Sequence, residues 1–141
     1  MSLTGYTAGV FDLFHIGHLR HLEAARRHCD RLIVGLTTDE LCTAYKHKVP
    51  VIPYEERAAI VRAIRWVDEV IPQRSMDRWK VWEDRRFDVT VVGDDWEGSA
   101  LWDEYERRFG QVGVKIVYLP YAGHTSSSLL RSVLQRLSGA A

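Results

Sequence analysis

The residues whose types and spacing suit chemistry gather in two short stretches. In residues 9–18 (GVFDLFHIGH), His15 and His18 stand three apart around Gly17, and further on Lys46 and Lys48 form a K-x-K pair. An apolar β-like run precedes the histidines and a helical pattern follows them, which places both imidazoles where a strand ends and a helix begins. There the free N–H groups and positive dipole end of a helix favour an anion, and imidazoles add further donors. A glycine between them lets a ligand approach the backbone. Lysine supplies a compact charge on a flexible stem, suited to phosphate. The chemistry this set points to is the holding of a polyphosphate. Two histidines can also begin a zinc site, but the set is read as holding no metal. An ordinary turn for H-x-x-H and a solvated basic loop for K-x-K are the plain alternatives.

Elements able to position such residues alternate along the chain. Apolar or β-branched runs at 5–10, 31–36, 67–71, 88–92 and 114–119 read as strands. Helical patterns cover 18–29, a short stretch after Thr38, 54–65, 76–86 and 101–109. The final helix begins among the hydroxyl residues 125–128, which suit a helix cap, and runs to Leu137. Strand and helix in strict alternation imply an α/β fold: a single Rossmann-like, doubly wound parallel sheet with helices on both faces, one domain over residues 1–141. Ligands in such sheets bind outside the carboxyl ends of the strands, so the loops after strands one, two, four and five carry the site. Trp79 and Trp82, at helical spacing, and Trp102 read as core or interface aromatics.

Bulk properties narrow the ligand. Nineteen basic and nineteen acidic residues give no net charge, so no global field draws nucleic acid or an anionic membrane. An anion must then be recognised by local charges. Cys29 and Cys42 have neither metal-ligand spacing nor a disulfide framework, which fits a reducing cytoplasm. No signal peptide is read, and no apolar run approaches the ~18 residues of a membrane helix.

The longer string GxFDxxHxGH is highly specific, and it resembles the signature of the HxGH nucleotidylyltransferase superfamily. Within that group the chain is most similar to the glycerol-3-phosphate cytidylyltransferase branch. The resemblance runs nearly end to end, through TTDE (37–40), YEER (54–57), IRWVDEVIP (64–72), GDDWEG (93–98) and VYLP (117–120). GDDWEG looks like the cytidylyltransferase branch in particular.

The resemblance implies direct attack of an acceptor phosphate on the α-phosphorus of CTP, with Mg²⁺ offsetting charge and no protein nucleophile. It assigns catalysis to His15, His18 and Lys48, with His18 at the α-phosphate. CTP is expected against Val10, Phe11, His15, Ile16, Gly17, His18, Lys48, Arg65 and Asp95, and against Tyr121, Ala122, Gly123, His124, Thr125, Ser126, Ser127 and Ser128. Asp12 fixes the first loop, and Asp94 or Asp95 meets the base or an acceptor hydroxyl. Arg57, on one helix with Arg65, matches a second arginine that reaches the site. The acceptor, a small phosphorylated alcohol with glycerol 3-phosphate foremost, is expected on Lys46 and on Arg78 or Lys80. The resemblance also implies a homodimer.

One stretch departs from the pattern. Where the family opens its last helix with R-T-E-G-I-S-T-T, this chain has YAGHTSSS (121–128). The hydroxyls remain, but Tyr121 stands in place of the arginine, and a charge-assisted contact of about 1.5–3 kcal/mol goes with it. Two alternatives therefore stand beside cytidylyl transfer: adenylyl transfer from ATP to a cofactor precursor, and a nucleotide-binding module without turnover.

Overall fold

The computed structural model describes residues 2–121 and 125–139. Five strands, β1 (Thr4–Gly9), β2 (Arg31–Thr37), β3 (Glu69–Gln73), β4 (Val89–Gly93) and β5 (Lys115–Leu119), pair in parallel in the order β3-β2-β1-β4-β5. Between and after them lie α1 (Ile16–Arg26), α2 (Asp39–Lys46), α3 (Tyr54–Arg62), α4 (Arg78–Arg85), α5 (Ala100–Gln111) and α6 (Ser127–Gly139), with a 3₁₀ turn over Asp94–Trp96. This is the expected Rossmann-like sheet. The strand order reverses between β1 and β4, and the crevice outside their carboxyl ends is where such sheets take ligands.

Side-chain alternation along the strands divides the core in two. Leu32 and Val34 of β2 face one way, with Val91 of β4, and pack with Leu22 and Ala25 of α1 and Ala58 and Val61 of α3. Ile33 and Val92 face the other way, with Tyr6, and meet Trp102, Tyr105 and Phe109 of α5. Trp79 and Trp82 of α4 pack against that second cluster, their rings 4.8 Å apart. Helices thus cover both faces, which is why β2 reads as an unbroken apolar run rather than an alternating one. Among the described residues no helix is long and apolar enough to cross a membrane.

Several boundaries differ from the sequence reading, and four of them have a local reason. Helix α1 starts at Ile16 rather than His18 because His15 caps it from outside. Helix α3 ends at Arg62 rather than Arg65, where the Ala63 and Ile64 N–H groups close tight turns onto Ile60 and Val61. Strand β3 begins at Glu69, since Asp68 is spent on Leu32: its N–H donates to the Leu32 carbonyl and its carboxylate accepts from the Leu32 N–H. Lys46 belongs to the last turn of α2, not to a loop, because α2 runs on until His47 closes it in the left-handed region (φ 57°).

One buried cation ties the site end of the sheet together. Arg57 on α3 is only 1% exposed. Its guanidinium donates to the carbonyls of Val10 (2.7 Å), Thr37 (2.9 Å) and Ile52 (2.8 Å), and pairs with Asp39. Those carbonyls lie just past β1, at the end of β2 and just before α3. The arginine expected to reach the site instead builds its floor. Arg57→Met leaves the partly exposed Asp39 without its cation and orphans three carbonyls, which costs about 3–5 kcal/mol. A thermal midpoint lowered by roughly 10 °C or more is expected, and an unchanged midpoint would contradict this role.

Candidate active site

Helix α1 opens with a reciprocal cap made of two imidazoles. His15 Nδ1 accepts from the Gly17 N–H (3.0 Å), and His18 Nδ1 accepts from the His15 N–H (3.2 Å). The rings stack with centroids 3.9 Å apart. Because both Nδ1 atoms accept, each neutral ring carries its hydrogen on Nε2 as a free donor. Burial pushes His18 down to about 3, helped by the neighbouring His15 and His21 and opposed by Asp12; burial also lowers His15. Both are therefore neutral donors at pH 7. Gly17 is required for space: a Cβ there would sit 2.8 Å from the His15 ring and 2.9 Å from the Tyr121 ring.

The loop leading into this cap is strained and heavily tied. Phe11 and Leu13 both have φ 52°, a region bulky L-residues avoid. Between them the Asp12 carboxylate accepts from the N–H groups of Val51 (2.7 Å) and Ile52 (2.9 Å) and from Arg131 (2.8 Å). Its carbonyl accepts from the Ser127 hydroxyl. Asp12 thus fixes its own loop, as expected, and also pins the segment after the lysine pair and the first turns of α6.

Three cavities adjoin at this end of the sheet. The central one, about 270 Å³, is lined by His18, Lys46, Lys48, Ser127, Ser128 and Arg131, with Val10 and Phe11 behind them. With Asp12 consumed by its three donors, the wall is cationic or hydrogen-donating. A second cavity of about 160 Å³ shares Lys46 and is walled by Trp96, Trp102 and Tyr105 over Arg78. Arg78 is 8% exposed; it donates to Thr90 Oγ1 (2.6 Å) and lies 5.2 Å from the Tyr6 and Trp102 ring centres. No described carboxylate pairs with it, and burial lowers its pKa. A buried guanidinium without a counter-ion favours an anionic ligand. The third cavity, about 480 Å³, lies between α1 and the ends of β4 and β5, lined by Gly17, Arg20, His21, Gly93, Asp95 and Tyr121 among others.

The structure gathers most of the expected residues and sets others apart. His18, Lys46, Lys48, Val10, Ser127 and Ser128 converge on the central cavity, Arg78 on the second, and Gly17, Asp94, Asp95 and Tyr121 on the third. His15 caps and stacks beside them. Phe11 is 5% exposed and packs edge-on beneath His18, so it supports that ring. The Ser126 hydroxyl accepts from the Leu129 N–H as the helix cap, while Thr125 is half-buried beside it. Ile16 points outward and lines none of the three cavities. Lys80 is exposed on α4, two residues and more than half a turn round from Arg78. Arg65 does not reach the site: α3 runs back across the sheet, so its end lies near the amino end of β3, where Arg65 covers Trp66. Ala122, Gly123 and His124 lie outside the described residues.

Sequence reasoning missed Arg131, Arg20, His21 and the aromatic wall of the second cavity. Arg131 had a faint signal, standing four residues after Ser127 and hence on the same helical face. Trp102, read as core, is core on one side and cavity wall on the other.

Comparison with known proteins bears on family and fold. A model of the cytidylyltransferase-like family matches residues 6–133. The chain is 38% identical to the glycerol-3-phosphate cytidylyltransferase of Bacillus subtilis strain 168 over 93% of its own length and 96% of that relative. It is also 31% identical to the FAD synthase of Thermococcus kodakarensis, over 92% and 87%. Among solved structures, the lipopolysaccharide core biosynthesis protein of Thermoplasma volcanium superposes with a TM-score of 0.72 at 21% identity, covering 89% of this chain and all of that one.

The neutral histidines have a thermodynamic consequence. A histidine held neutral in the fold but titrating near 6.5 when unfolded favours proton uptake on unfolding, so its stability contribution is present above pH 6.5 and is lost on acidification. For His18 the window runs from about 6.5 down to about 3. Urea denaturation at pH 6.5, 5.5 and 4.5 is expected to show falling stability. His18→Gln makes that slope shallower by about 1.4 kcal/mol per pH unit; an identical slope in the variant would refute the assignment.

Proposed function

The chain belongs to the cytidylyltransferase-like family, and from that premise we propose that it transfers a cytidylyl group from CTP to a small phosphorylated alcohol, glycerol 3-phosphate foremost. The observation that carries this reading is the junction of two anion-seeking cavities at Lys46. One holds His18 of the histidine cap with Lys48 and Arg131, and the other holds the unpaired Arg78. The first suits a triphosphate and the second an acceptor phosphate.

In the proposed step an acceptor phosphate oxygen bonds to the α-phosphorus, the bond from that phosphorus to the bridging oxygen breaks, and pyrophosphate leaves. No proton need move and no protein atom need bond, so the protein aligns and stabilises. The Nε2–H of His18, fixed by its bonded Nδ1, meets charge developing on the α-phosphate without first losing a hydration shell. Lys48 and Arg131 hold the departing phosphates, and Lys46 stands between the two ligands. Mg²⁺ bound to the triphosphate supplies charge neutralisation. The site's own groups are nearly all donors, and Asp12 is already filled, so such an ion is held by phosphate oxygens rather than by a side-chain cage. A homodimer belongs to the same proposal and is read from sedimentation.

Adenylyl transfer is the second reading, favoured by Tyr121 in the arginine position and by the likeness to FAD synthases. An assay of pyrophosphate release with Mg²⁺, each of four NTPs and a panel of phosphorylated alcohols separates the two. Release with CTP and not ATP is expected; release with ATP alone would replace the first reading with the second, and no release with any pair would favour a binding module. His18→Ala lowers turnover roughly 10²–10³-fold, about 3–4 kcal/mol, with little change in CTP affinity; wild-type turnover would exclude His18 from the step.

The acceptor assignment has its own check. Arg78→Gln is expected to raise the acceptor KM about tenfold or more while leaving the CTP KM near wild type, and Lys80→Gln to change neither. The reverse pattern would move the acceptor phosphate to Lys80.

A further inference from the structure

The third cavity contains a group that no step above uses. His21, one turn after His18 on α1, lies mostly buried above β1 and lines this cavity with Arg20, Asp95 and Tyr121. Its Nε2 is 2.8 Å from the Thr7 hydroxyl, which itself donates to the Val91 carbonyl at 2.9 Å. With its only hydrogen spent on Val91, Thr7 Oγ1 can only accept. In that arrangement His21 Nε2 carries the ring hydrogen, and burial, with the Arg78 charge nearby, keeps the ring neutral. That leaves Nδ1 as a bare lone pair. Among the described residues it has no hydrogen-bond partner and no fully buried side-chain nitrogen is left unpaired, so this Nδ1 is accessible, on a residue that lines the cavity.

Resting on the nucleotidyl-transfer reading, we propose that His21 Nδ1 accepts a hydrogen bond from the exocyclic amino group of the nucleotide base and so sets the preference for amino-bearing over keto-bearing bases. The cavity begins at Gly17, beside the histidine cap, and follows α1 past Arg20, His21 and Ala24, which gives room for a nucleoside whose phosphates sit at that cap. Its polar groups also match. Asp94 and Asp95 are further acceptors and Arg20 is a donor, complementary to a base edge that carries an amine next to ring acceptors. A keto base in the same pose would set its carbonyl oxygen against the Nδ1 lone pair. The orientation comes from a β-strand threonine fixed by the sheet, and a change of tautomer to suit a keto group would turn the Thr7 hydroxyl hydrogen onto His21 at the expense of its bond to Val91.

Two substitutions separate this role from a structural one. Asparagine places its carbonyl oxygen close to the position of imidazole Nδ1, whereas glutamine reaches the Nε2 position and can keep the donor to Thr7. Equilibrium titration with CTP against UTP, and ATP against ITP, reads the preference whether or not turnover occurs. Pyrophosphate release read in parallel tells failure of the transfer reading apart from failure of this one. The wild type is expected to prefer the amino-bearing member of each pair, His21→Asn to retain most of that preference, and His21→Gln to lose about tenfold or more of it with its melting temperature maintained. A wild type without preference, a glutamine variant with the wild-type ratio, or equal losses in both variants would each overturn the proposal.

Discussion

The site depends on a buried guanidinium that touches no cavity in its own right. Arg57 collects the carbonyls that follow β1, end β2 and precede α3, and its charge is balanced by Asp39. Carbonyls at the ends of parallel strands have no onward strand partner, and left in a buried crevice they would each cost free energy. One planar cation with five donors answers three of them at once. With that floor in place the backbone after Val10 can take two left-handed residues in close succession. Asp12, between them, then holds both the lysine segment and α6 against the loop. The histidine cap inherits its position from this chain of contacts.

Electrostatics are divided in a way that follows from burial. Groups nearest the helix N-terminus are histidines kept neutral by desolvation, which serve as fixed donors rather than charges. Net positive charge is placed on Lys46 and Lys48, exposed residues on either side of the left-handed His47, and on Arg131, already partnered by Asp12. A permanently cationic, enclosed site would be costly without ligand. Here most of the charge stays solvated until a polyanion arrives. Arg78 is the exception, and its cost is offset by two aromatic faces and the Thr90 hydroxyl.

The tyrosine that replaces the family's arginine has a definite place. Tyr121 lies over Gly17 at the mouth of the third cavity, where it narrows the approach to α1 without adding charge. Arg131 and Arg20 stand on either side of the cap, in the central and third cavities respectively. Among the described residues the arginines of these two walls thus come from α6 and α1.

Local signals along the chain make much of this protein legible. Alternating apolar runs, turn residues and a hydroxyl cap determine strand and helix order, and with it the parallel sheet. The spacing H-x-G-H at a strand-to-helix junction marks a candidate anion site, because helix termini behave the same in any fold. Arg65 and Arg57 mark the limit. They stand eight apart on one helical pattern, yet where α3 stops and which way it runs sends one to the far end of the sheet and the other into the floor of the site. Arg131 and His21 mark the same limit from the other side, since nothing in their neighbourhood reveals that Asp12 or Thr7 will face them. Those pairings span 119 and 14 residues, and only the packing of helices on the sheet brings them together. The sequence by itself thus determined what chemistry the first loop offers; the tertiary structure decided which distant cations and acceptors surround it, because burial and counter-charge are properties of the assembled fold.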